Sequence, residues 1–137
     1  MRLAKKISMI LCEDIREEKA NKLAYLGVFG IENTEIILDE IPGNIARLCL
    51  AIMLSETNTK IEKLDVTVLS PGLKKINFTL PGTPQNNVGK NVTLGVIVSP
   101  FKVAAAGEAK FEIKFNDEKK PSLIFRFKVI LKDKKTT

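Results

Sequence analysis

The chain has 137 residues, 45% of them apolar and 28% charged, a balance that excludes both a disordered polymer and a membrane span and leaves room for one hydrophobic core. It contains no His and no Trp, which removes Ser-His-Asp and Cys-His nucleophile systems, His-ligated zinc and haem. The net charge of +6 keeps anionic partners in view.

The first element is an alternating run from Lys6 to Cys12, stopped by Glu13-Asp14. It follows a basic Met1–Lys6 stretch but has neither the apolar length nor the small-residue cleavage site of a secretion signal, so a cytoplasmic location is expected. A second run, Lys22 to Phe29, pairs with it as a hairpin across the polar linker 13–21. Gly27 and Gly30 mark a bulge or a close backbone approach there. Ile45 to Ser55 is apolar on both faces and about ten residues long between Pro42-Gly43-Asn44 and Thr57-Asn58-Thr59, which suits a buried strand better than a helix. Ile61 to Leu69 alternates until Ser70-Pro71-Gly72; Lys75 to Leu80 alternates until Pro81-Gly82-Thr83-Pro84; Asn91 to Val98 adds another strand. Residues 107–132 form the clearest hairpin. Phe111, Ile113 and Phe115, then Leu123, Phe125, Phe127 and Val129, alternate with charges on either side of the turn Asn116–Pro121.

Seven or eight short strands with no long amphipathic helical window predict an all-β fold, an antiparallel β-sandwich of immunoglobulin-like or C2-like type, with a β-barrel as the alternative. Residues 1–132 make the single domain and 133–137 a short basic tail. The expected inward residues are Leu11, Tyr25, Leu50, Val66, Phe78, Val96, Phe111, Phe115, Phe125 and Phe127.

Charge is unevenly spread. Residues 1–40 carry six Lys/Arg against eight Asp/Glu, and residues 71–137 carry thirteen against five. Lys110, Lys114, Arg126, Lys128 and Lys132 fall on the outward side of the last hairpin and form a candidate anion-binding surface. Outward lysines also protect sheets from edge-to-edge association, and the Phe residues alternate onto the apolar face instead of standing out for base stacking. Glu13, Asp14, Glu17 and Glu18 form a candidate acidic loop, a solvated one first and a Ca²⁺ or carboxylate-pair site only second. Cys12 and Cys49 lie in apolar runs without metal spacing and read as buried thiols; a disulfide requires their strands to face each other.

Cys12-Glu13-Asp14-Ile15-Arg16, Lys22-Leu23 and Leu26-Gly27-Val28-Phe29-Gly30 together resemble the opening of an uncharacterised family of small bacterial and phage proteins. Ala106-Gly107-Glu108-Ala109-Lys110-Phe111-Glu112-Ile113 resembles that family's glycine-led strand near the C-terminus. Phe29 stands where an aromatic is usual, and Glu56 to Lys90 departs from the pattern. The resemblance implies a β-sandwich and a bacterial or phage origin. The family has no assigned activity, so no catalytic residue carries over.

The expected function is a non-enzymatic protein-interaction module without cofactor or metal, its partner a protein and its self-association open through a sheet edge. The alternative is a basic domain contacting nucleic acid or an acidic membrane through its C-terminal half.

Overall fold

Period-two alternation gives each strand one face that water rejects, and two sheets stacked on those faces bury both at once. The computed structural model describes residues 3–132; the tail at 133–137 lies outside them. In chain order the strands are β1 (Ala4–Cys12), β2 (Asp14–Glu18), β3 (Lys22–Leu26), β4 (Glu35–Leu38), β5 (Gly43–Ile45) and β6 (Leu48–Thr57). They continue with β7 (Lys63–Leu69), β8 (Ile76–Pro81), β9 (Val92–Val98), β10 (Phe101–Val103), β11 (Gly107–Phe115) and β12 (Leu123–Leu131). One 3₁₀ turn, Lys19–Asn21, joins β2 to β3. Among the described residues no helix is long and apolar enough to cross a membrane.

The protein is an all-β sandwich. A five-stranded sheet of order β4-β12-β11-β7-β8 faces a three-stranded sheet of order β1-β6-β9, with two-stranded ribbons β5-β10 and β2-β3; among the described residues no sheet closes into a barrel. All pairings are antiparallel except β4 with β12. The clearest sequence hairpin is present as β11-β12, with Phe111 opposite Phe125. The inner faces meet in one core around Phe101, Phe111, Phe125 and Phe127, with ring centroids 5.7 Å apart for Phe101 and Phe127 and 6.1 Å for Phe111 and Phe127. The doubly apolar run becomes β6, the middle strand of its sheet. Leu48, Leu50, Ile52 and Leu54 join the main core, while Cys49 and Ala51 face the other way.

Three expectations are corrected. The described residues form twelve strands, not seven or eight; β2, β4, β5 and β10 are three to five residues long, too short to show a period. The first hairpin is not Lys6–Cys12 with Lys22–Phe29. β1 pairs with β6, from Ala4 opposite Thr57 to Cys12 opposite Cys49, and the supposed linker supplies β2, which pairs with β3. β6 is hydrogen-bonded along one edge by β1 and along the other by β9, and its two apolar faces are covered by the main core and by Ile15 and Tyr25. Finally, Tyr25 is outside the main core and Phe78 only half-buried.

The crossover from β8 to β9 is pinned from within by Asn87, which is buried. Its Oδ1 accepts from the Ile61 N–H at 2.8 Å, and its Nδ2 donates to Thr57 Oγ1 and the Thr59 carbonyl, each at 2.9 Å. The Thr57 hydroxyl donates in return to the Asn87 carbonyl. Gly82 lets the chain enter this crossover, because a Cβ there would stand 1.9 Å from the Ile61 carbonyl oxygen. Asn87→Ala orphans several buried partners, so urea unfolding is expected to show a loss of about 3 kcal/mol, with the far-UV signature of the sheets retained.

Candidate functional site

The outer face of the five-stranded sheet carries the basic residues singled out in the sequence. Inward Phe111, Ile113, Phe125 and Phe127 force Lys110, Lys114, Arg126 and Lys128 outward on the same strands. Lys132 follows the end of β12, its N–H donating to the Leu38 carbonyl at 2.8 Å. Carboxylates share this face. Lys110 meets Glu112 at 3.1 Å and Arg126 meets Glu108 at 3.6 Å, while Lys114 lies opposite Asp65 and Lys128 opposite Glu35. Exposed pairs of this kind contribute at most about 1 kcal/mol each, but they cancel much of the field that a phosphate would sense.

Of the acidic segment, Asp14, Glu17 and Glu18 lie in strand β2 and Glu13 alone stands at the bend between β1 and β2. Glu17 and Glu18 are successive residues of β2 and point to opposite faces. Glu18 lies opposite Lys22. Asp14 Oδ1 accepts from Arg47 Nη2 at 3.0 Å and from the Ile15 N–H at 2.9 Å, which together hold its carboxyl below the ordinary carboxylate range. The Glu13 side chain fills the space beside Gly27, whose φ of +59° is left-handed. Among the described residues no three His, Cys, Asp or Glu side chains assemble a metal site.

The β2-β3 hairpin folds over the outer face of the three-stranded sheet. Ile15 and Tyr25 pack on Cys12, Cys49 and Ala51, and a Cβ at Gly95 would come within 3.3 Å of the Ile15 Cδ1. Cys12 and Cys49 are directly opposed across the β1-β6 ladder, and both are free, buried thiols. Burial pushes both up, and burial together with the neighbouring Cys12 raises Cys49 to about 12.

A different surface stands out once the sheets are assembled. β8 and β9 are the end strands of their sheets and are consecutive in the chain. The β7-β8 ladder continues through the Gly82 N–H, which donates to the Glu62 carbonyl at 2.9 Å. The backbone groups of residues 76, 78 and 80 therefore face β7, and those of Asn77 and Thr79 face outward, unpaired. The core-facing side of β8 is not closed over. Ile76 is 53% exposed, and Phe78 and Leu80 are half-buried, where the matching residues of β7 and β11 are buried. At the Ile76 end lies a cleft of about 200 Å³ walled by Val68, Leu73, Ile76, Val98, Pro100 and Phe101. Lys74, Lys102 and Ser70 also line it, and the Ser70 hydroxyl is committed to the Lys102 carbonyl.

The stretch of chain that forms this seam carries no acid of its own, although carboxylates of neighbouring strands reach it: Asp65 Oδ1 accepts from the Thr79 hydroxyl at 2.7 Å, and Glu17 and Glu18 lie beside Asn91 and Thr93. Residues 66–107 contain Lys74, Lys75, Lys90 and Lys102 and not one Asp or Glu. Alternation located β8 and β9 in the sequence but could not reveal that both would be edges on one side. The signal that points to the seam is the acid-free run itself, which an averaged charge count over the C-terminal half conceals.

No protein-family model matches the chain, and no curated protein matches it.

Cys12 and Cys49 are expected to resist a thiol reagent at pH 8 in the folded protein and to react, both of them, once it is unfolded in guanidinium. Because the folded thiol of Cys49 titrates near 12 against an ordinary 9.0, its contribution to stability is full below about pH 9 and declines as pH rises above that. A urea titration series from pH 7 to 10.5 reads the decline.

Proposed function

We propose that this protein is a non-enzymatic binding module that takes an extended, acidic segment of a protein partner along β8. The observation that carries this reading is an unpaired edge strand with a half-open apolar side, set in a stretch of chain that holds lysines and no carboxylate. In strand addition, main-chain hydrogen bonds supply affinity and alternate side chains supply specificity. Here the outward N–H and C=O groups of Asn77 and Thr79 offer the hydrogen bonds, and the side chains of Ile76, Phe78 and Leu80 offer an apolar track.

Charge selects the occupant. A second copy docked edge to edge would bring one lysine-bearing margin against another, whereas an acidic segment meets Lys74, Lys75 and Lys102 at the Ile76 end of β8, with the Asp65 carboxylate further along the strand and engaged by the Thr79 hydroxyl. Phosphate binding through Lys110, Lys114, Arg126 and Lys128 is less favoured, since carboxylates stand beside or opposite each of them. The reading belongs to a reducing cytoplasm, in which Cys12 and Cys49 stay thiols, and the resemblance of the opening segments supports a bacterial or phage setting.

Thr79→Pro separates strand addition from other modes of binding. It removes an N–H that points away from β7, so no ladder bond is lost and the melting temperature should stay within a few degrees of wild type. In nuclease-treated lysate of the source organism, a partner retained by the wild type should be lost from Thr79→Pro. A partner captured equally by both proteins sinks the edge reading.

A further inference from the structure

The cleft at the Ile76 end of β8 has a chemistry distinct from the rest of the seam. Its walls are apolar, and the Ser70 hydroxyl, already donating to the Lys102 carbonyl, has no hydrogen left to offer. The charged residues lining it are Lys74 and Lys102, neither in an ion pair among the described residues. A carboxylate carried on an apolar group satisfies both halves of such a lining: the apolar part displaces poorly held water from the walls, and the charge sits between two cations.

Position relative to β8 narrows the source. The ladder template ends at Ile76, because the chain turns away through Ser70–Lys75 before it. A strand added antiparallel to β8 therefore reaches its C-terminal end at the cleft. Side chains of an added strand alternate, with apolar residues turned to the Ile76, Phe78 and Leu80 side and acidic ones to the side of Lys75 and Asn77. An internal segment would bring a neutral amide to Lys74 and Lys102; a chain end brings the charge they lack.

We infer that the cleft captures the C-terminal residue of the partner segment, an apolar side chain seated against Leu73, Val98 and Phe101 and its free α-carboxylate held by Lys74 and Lys102. This rests on the edge reading given under the proposed function.

The test uses the full-length protein and a fluorescein-labelled peptide, Glu-Val-Glu-Val-Glu-Val, as the free acid and as the C-terminal amide, at low salt. The acid is expected to bind at least about tenfold more tightly than the amide, and salt should weaken the acid more. In the double variant Lys74→Gln with Lys102→Gln, the acid should lose at least about tenfold more affinity than the amide, so that the two forms converge while both still bind, a pattern that general unfolding cannot produce. Thr79→Pro should lower both forms together. Equal binding of acid and amide by the wild type overturns C-terminal capture and leaves the edge reading standing. Binding of neither form overturns both. Octanoate tests the other source of the same chemistry: if it binds in a manner lost in the double variant while the peptide acid cannot displace it, the cleft is a site for a free fatty carboxylate and the assignment to a chain end is wrong.

Discussion

The arrangement of the two sheets depends on a polar group in an apolar place. Asn87 satisfies the Ile61 N–H, the Thr57 hydroxyl and the Thr59 carbonyl with one side-chain amide, so the β8-β9 crossover is tied to the connection that carries the chain from β6 in one sheet to β7 in the other. Buried hydrogen bonds of this sort add modestly to stability when made and cost much more when left unmade, which gives the tie its directional force. Core packing holds the sheets together but says little about how their edges line up. The tie at Asn87 is local and specific, and it sets the path between β8 and β9.

That path leaves the two long sides of the sandwich unlike each other. On the side of β1, Leu11 exchanges backbone hydrogen bonds with Phe29 and Gly30, so part of that edge is occupied by the protein's own chain. The outer face of the same sheet is covered by the β2-β3 hairpin, with Gly95 letting Ile15 approach closely. On the side of β8 and β9 the crossover passes at the end of the sandwich and closes nothing over the seam. Natural sheets usually protect such an edge with inward charge or a covering loop. Here Pro81 stops the strand, but Ile76, Phe78 and Leu80 stay partly in water. A half-solvated apolar track beside free backbone groups is a state that a bound strand would relieve.

The electrostatics follow the same division. The outer face of β11 and β12 carries most of the basic residues that the alternation placed there, and cross-strand carboxylates answer them. At the Ile76 end of the seam there are fewer lysines, but Lys74 and Lys102 have no carboxylate in an ion pair with them among the described residues. A net count over half a chain does not describe what a partner meets, which is the local imbalance within about a Debye length.

Much of the architecture was legible in the order of residues. Alternation of apolar and polar side chains is a local property, so the longer strands, the β11-β12 hairpin and nearly all the inward residues could be read directly. The burial of Cys12 and Cys49 and the special backbone at Gly27 and Gly30 were legible too, from apolar context and from glycine placement. Pairing was not. Nothing in residues 4–12 says that their partner lies at 49–57 and not in the next run, because ladder hydrogen bonds use backbone groups that every residue shares. For the same reason Phe78 looks like Phe125 in the sequence, yet one lines an edge and the other the centre. The sequence by itself determined which faces are buried and where charge is missing; only the tertiary structure decided which strands stand at the edge, and thus brought the acid-free run together as one open seam.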